Sequence, residues 1–281
     1  MKAESWAESL PGDLNPEMVV DLKKWFFDYV RTFECKDKEI QSGIRLKKKH
    51  SIRVVNEIRH IGRQLNLSER DVRLAEVVAI LHDVGRFEQY QRYRTFADPL
   101  SLNHAQLGAR TVQESGVIRR WPDSLQEVVV YAISHHSLAE LPSNGARAHV
   151  FFSRLLRDAD KLDILKLVTR YFLPARDRTK RSFEGGLPDT PGVSEQVQDD
   201  LTQERVVDVE HVRNLNDQIL FRLGWIYDIN FHPTLRRIRE KRYVEMIRCS
   251  LPNSPEIDEI FHAVWSFMGK KLSEQRTGIP G

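Results

Sequence analysis

Cysteine is scarce here: two in 281 residues, Cys35 and Cys249. The pair has no metal-ligand spacing and nothing forces a disulfide, so a reducing compartment, the cytoplasm, is the expectation. Long apolar runs are also missing. Nothing approaches the roughly 20 residues that cross a bilayer, and "MKAESWAESLPGD" lacks the apolar stretch of a signal peptide. An excess of one charge is missing too, with 43 Lys+Arg against 40 Asp+Glu and a net +3. Basic residues are dispersed among acids, which argues against a protein built to coat nucleic acid. Strand-like alternation and internal repeats are not found. What remains is 41% hydrophobic residues, enough for a sizeable core and too many for a chain disordered throughout.

Helix signals fill the chain. "NPEMVVDLKKWFFDYVRTF" opens with Asn15 as N-cap and Pro16 at the first helical position, and Val19, Leu22, Phe26 and Val30 recur near the helical period. "SIRVVNEIRHIGRQL" sets Ile52, Val55, Ile58 and Ile61 on one stripe. "SERDVRLAEVVAILHDV" starts with Ser68 and has Asp71 three residues on, a capping-box pattern, with Gly85 as the stop. "NHAQLGARTVQESG", "SLQEVVVYAISHH" and "AHVFFSRLLRDADKLDILKLVTRYF" each read as a helix. From Pro174 to Arg205 the chain turns polar, with Pro188, Pro191 and the pair Gly185–Gly186, and reads as a loop or insertion. Three closing helices follow, with Trp225, Trp265 and Phe267 for burial. The fold expected is all-α: a helical core over 1–173, a polar loop over 174–205, and C-terminal helices over 206–281 that pack on the core and complete one domain.

In "AILHDVGRFEQY", His82 and Asp83 stand side by side at the end of an apolar helix. A charge against an apolar core is costly unless something pairs with it, and a metal ion is one such partner. His50, His104, His135, His136, Asp158 and Asp160 are the other candidate ligands. Imidazole and carboxylate together suit Mn, Fe, Co, Ni or Zn. No pair has the i, i+4 spacing of a single-helix zinc site, so the ligands would converge from several helices.

A histidine, then His-Asp, then a later aspartate resembles the signature of the HD superfamily of metal-dependent phosphohydrolases. The matching positions are His50, the pair His82 and Asp83, and Asp160, over roughly residues 20 to 170. "LRDADKLDIL" is similar to the family's last motif, in which the ligand aspartate precedes a lysine; that favours Asp160, before Lys161, over Asp158. "HDVGR" is similar to the form common in members carrying two metals, which add one histidine after the pair and another before the last aspartate. His104 and His135 fall in that order, and His136 stands as a further ligand as in HD-GYP phosphodiesterases. No "GYP" follows, so cyclic di-GMP cleavage is not assigned. Where single-metal nucleotidases of the family often have a glutamate, three residues after the aspartate, this chain has Arg86.

The resemblance implies one or two divalent ions (Mn, Fe, Co, Ni, Mg or Zn) sharing Asp83. His50, His82 and Asp160 would hold one, His104 and His135 the other. Metal lowers the pKa of a bound water from about 15.7 to about 7, which suits attack on phosphorus. Arg86 and Lys161, each beside a ligand, and Arg53, one turn after His50, are the candidates to clamp a phosphate. Lys47, Lys48 and Lys49 read as a solvated face, or as a lure for anions. Tyr90, Tyr93 and Phe96 suggest base stacking. The substrate expected is a small phosphorylated molecule, nucleotide-like. A mixed-valent diiron oxygenase and a nucleotide-sensing module are the alternatives, since fold and motif do not fix function. His60, His149, His211, His232 and His262 have no spacing argument and read as structural.

Overall fold

A computed structural model of the chain describes residues 12–142, 145–172 and 187–274. Its contacts divide the chain into two compact units, Met1–Asp160 and Lys161–Gly281. All regular structure among the described residues is helical.

The first unit contains α1 (Pro16–Arg31), α2 (Lys38–Gln64), α3 (Glu69–Leu81), α4 (Gly85–Tyr93), α5 (His104–Ser115), α6 (Asp123–His135) and most of α7 (Arg147–Leu167). Cap chemistry starts several of them. The Asn15 side chain accepts from the Met18 amide at 2.9 Å, and Asp37 accepts from the Glu39 and Ile40 amides. Ser68 Oγ accepts from the Asp71 amide at 3.1 Å and donates to the Asp71 carboxylate at 2.7 Å. Each bond accepted from an amide satisfies an otherwise orphaned N–H of a first turn.

Helix α3 is buried almost all round. Val72, Leu74, Ala75, Val77, Val78, Ala79, Ile80 and Leu81 are all core, because α1, α2 and α6 each pack against it. A helix apolar on every face belongs at the centre of a bundle. On α2 the buried stripe is Val54, Val55, Ile58 and Ile61; Ile52, expected on it, is 36% exposed.

Gly85 does not stop a helix by turning left-handed. The residues before it, His82 and Val84, keep right-handed backbone angles, and Gly85 begins α4. Its role is close approach. A Cβ there would lie 2.3 Å from the His104 carbonyl oxygen and 2.6 Å from the Gly108 nitrogen, so α4 and α5 pack backbone to backbone.

The second unit contains α8 (Glu195–Thr202), α9 (Leu215–Gly224), α10 (His232–Glu240), α11 (Tyr243–Arg248) and α12 (Pro255–Glu274). Its core includes Val197, Leu201, Leu220, Leu223, Ile238, Ile257, Ile260 and Phe261. Helix α8 lies inside the stretch expected to be a loop. Val197 and Leu201, four apart, bury on one face of it, which is too short a pattern to stand out against its polar neighbours. The part of that loop over 174–186 lies outside the described residues. Fully buried Asp217 accepts from the amides of Ser194 and Arg213 and from Ser194 Oγ. Phe267 is buried, whereas Trp265, expected to be, is 46% exposed.

Candidate metal centre

Five helices or their ends bring six side chains together. His50 comes from the middle of α2. His82 and Asp83 lie in the turn between α3 and α4. His104 opens α5, His136 follows the last residue of α6, and Asp160 lies on α7. The four imidazoles and Asp83 are buried, and Asp160 is partly so.

The cluster has two halves that meet at Asp83. Its Oδ2 faces His50 Nε2 at 3.5 Å and His82 Nε2 at 3.4 Å. Asp160 Oδ1 closes that half, 3.0 Å from His50 Nε2 and 3.9 Å from His82 Nε2. In the other half, Asp83 Oδ1 faces His104 Nε2 at 3.6 Å and His136 Nε2 at 3.9 Å. Each triad sharing Asp83, with His50 and His82 or with His104 and His136, has its ligand atoms within 4.8 Å of one another.

Three of the histidines are held in one tautomer. His82 Nδ1 donates to the Ala79 carbonyl and His136 Nδ1 to the Ile133 carbonyl, each at 2.7 Å. His104 Nδ1 donates to the Asp98 carboxylate, at 2.7 Å to the nearer oxygen. In the neutral ring this leaves every Nε2 a bare lone pair aimed inward. His104 and His136 thus face each other lone pair to lone pair at 3.1 Å. That arrangement is repulsive until a cation lies between them.

Electrostatics point the same way. Burial pushes the His136 imidazole down to about 3, helped by the neighbouring His104 and His82. Burial also lowers His104, although Asp98 opposes it. Burial alone would raise the carboxylates. For Asp83, Lys47, His82 and Arg86 outweigh it and hold the group well below the usual carboxylate range. For Asp160, His50 and His82 do the same. The cluster is therefore two anions among imidazoles poised to donate electron pairs.

These residues fit divalent ions. Ligands about 2.1 Å from one ion stand about 3.0–3.4 Å apart, and the donor separations here run from 3.0 to 3.9 Å, so small shifts would seat an ion. Asp160 Oδ1 is buried yet makes no hydrogen bond of acceptable geometry. It lies 3.0 Å from His50 Nε2, a separation that ligands of a shared ion have. The Asp98–His104 contact is the carboxylate–histidine pairing that orients metal ligands.

Not every candidate arrives. His135 turns outward: its ring stacks on Tyr131 at 4.0 Å, with His149 on Tyr131 at 4.9 Å, beside a groove of about 660 Å³. The position assigned to His135 is filled by His136. Lys161 is given to Asp228, bonding its carbonyl at 3.0 Å and its carboxylate. Arg53 is half-buried on α2, one turn beyond His50. Arg86 does reach the cluster, with Nε 3.6 Å from Asp83 Oδ1. Tyr90 and Phe96 stack on each other at 4.3 Å, which occupies one face of each ring.

Three contributors escaped sequence reasoning. Lys47 Nζ donates to Asp83 Oδ2 at 2.8 Å; its place one turn before His50 was the available signal, masked by two further lysines. Asp98 is a loop residue with no periodicity to mark it. Buried Arg157 donates to the carbonyls of His136, Leu138 and Ala139 and so pins the turn that carries His136.

Residues 48–165 match the family model described as the HD domain. That stretch, which carries all six side chains of the cluster, is therefore similar to the HD domain, and its helices and its buried histidines and aspartates fit that class. No curated protein and no solved structure matches the chain. No helix among the described residues is long and apolar enough to cross a membrane.

Proposed function

We propose that the chain is a metal-dependent phosphohydrolase that cleaves a phosphate ester or anhydride of a small nucleotide-like substrate. The observation that carries this reading is Asp83, one carboxylate shared by two histidine sets, with Asp160 completing the first. Divalent ions held by His50, His82, Asp83 and Asp160 and by Asp83, His104 and His136 would supply an acidified water and Lewis acidity toward a phosphoryl group. The residues of the chain do the rest. The tethers on His82, His104 and His136 fix their rings, so these ligands would need no reorientation to hold an ion. Arg86, fixed by Gln89, Asp98 and the Phe96 carbonyl, keeps a guanidinium beside Asp83 where it would meet a phosphate oxygen. Arg53 is the second candidate for that contact.

The test is turnover by purified protein with Mn²⁺ against nucleotides, dinucleoside polyphosphates and phosphodiesters, with Asp83→Ala alongside and metal content read on both. Phosphate or nucleotide release that needs metal and vanishes in the variant supports the reading. Two tightly held irons, oxygen consumption and no hydrolysis would replace it with the oxygenase alternative. A ligand bound tightly without turnover would replace it with a sensor.

A further inference from the structure

Asp83 meets one cation on each oxygen, and the two cations are held differently. Arg86 approaches Oδ1 at 3.6 Å while its Nη1 donates to Gln89 Oε1 and Asp98 Oδ1, both at 2.8 Å, and to the Phe96 carbonyl. Its guanidinium is pinned. Lys47 approaches Oδ2 at 2.8 Å, and its Nζ also lies over the Phe96 ring, 5.1 Å from the centroid. Its side chain is 17% exposed, and its stem has four rotatable carbons. Lys47 is therefore free to leave, whereas Arg86 is not.

Oδ2 is also the oxygen that His50 and His82 face. A divalent ion in that half and an ammonium on the same oxygen compete for the same lone pairs and repel each other. We infer that Lys47 is a tethered counter-cation: it neutralises Asp83 when no ion is bound and swings off Oδ2, toward Phe96 and solvent, when an ion enters the half formed by His50, His82 and Asp160. The half formed by His104 and His136 has Arg86 beside its oxygen instead, pinned at 3.6 Å, so no cation there swings away when an ion enters. The two ions are thus inequivalent, and one of them is gated by a lysine. This rests on the two-ion reading of the cluster.

The test is a Mn²⁺ titration, by calorimetry against a competing chelator, of metal-free wild type and Lys47→Met, which keeps the stem and loses the charge. Lys47→Gln serves as a second variant if the first folds poorly. Repeating both titrations in a His136→Asn background reads the gated half, and in a His50→Asn background the other. Removing Lys47 tightens the gated half by roughly 10- to 100-fold, the scale on which groups behind the ligands act on metal affinity. The other half changes by no more than about twofold, and metal-free Lys47→Met melts below wild type because Asp83 has lost its partner. Equal affinities with and without Lys47, or equal tightening of both halves, would overturn the inference. Wild type that binds no ion in either half would overturn the two-ion reading itself, leaving Lys47 a permanent partner of Asp83.

Discussion

Acid should destabilise the metal-free protein well above the pH at which carboxylates protonate, and His136 should account for much of the effect. Its imidazole is held at about 3 in the folded chain and returns to about 6.5 when unfolded. Between those values the unfolded state binds the extra proton, so stability is present above about pH 6.5 and is lost as pH falls. At pH 4.5 the loss is about 1.36 × 2, or about 3 kcal/mol, from this one group. Asp83 and Asp160 act later, because their folded values lie below the ordinary carboxylate value; their contributions fade only below about pH 4. In a domain of this size about 3 kcal/mol lowers Tm by roughly 6–12 °C. Melting curves in chelator at pH 7 and pH 4.5 measure it, with His136→Gln as the reference, since glutamine cannot titrate. The wild-type Tm should fall further between the two pH values than that of the variant, by about this amount. Equal falls would refute the claim that a buried, neutral His136 sits in the cluster.

Other substitutions separate the parts of the site. His136→Ala should release the ion on the His104 side, whereas His135→Ala should leave metal content unchanged; elemental analysis of the two neighbouring variants decides between them. Asp98→Asn should weaken that same ion by roughly 10- to 100-fold and spare the ion on the His50 side, as read by competition with a chelator. Gly85→Ala should cost about 1–3 kcal/mol or more from overpacking, because its methyl would enter the His104 carbonyl and the α5 backbone; urea denaturation measures it.

The parts of this protein legible in the sequence are those set by local chemistry. Asn15 and Ser68 announce their helices because a cap is a contact between near neighbours. His50, His82 and Asp160 stand out because each interrupts an apolar stripe. The choice between His135 and His136 needed the helix angle followed to its end. Leu125, Val129 and Ala132 are buried, and spacings of four, three and four carry that stripe to His136, whereas His135 continues the half-exposed face of Tyr131. Lys47, Asp98 and Arg157 were out of reach for another reason. A lysine among lysines, a loop aspartate and a helix arginine acquire roles only from what the tertiary fold sets against them. Gly85 was noticed for the wrong property: its value is the missing side chain between two helices, not a left-handed turn.

The tethers that orient the imidazoles are of two kinds. His82 and His136 are fixed by main-chain carbonyls one turn back, those of Ala79 and Ile133, which no substitution at 79 or 133 removes while the helix stands. His104 is fixed by a side chain, Asp98, on the connection between α4 and α5. Mutational robustness is therefore unevenly spread over the centre. Sequence drift can detune the His104 side by changing one loop residue, while the His82 tether persists as long as α3 does. A protein designer wishing to change metal preference in one half and keep the other has, in position 98, the place to begin.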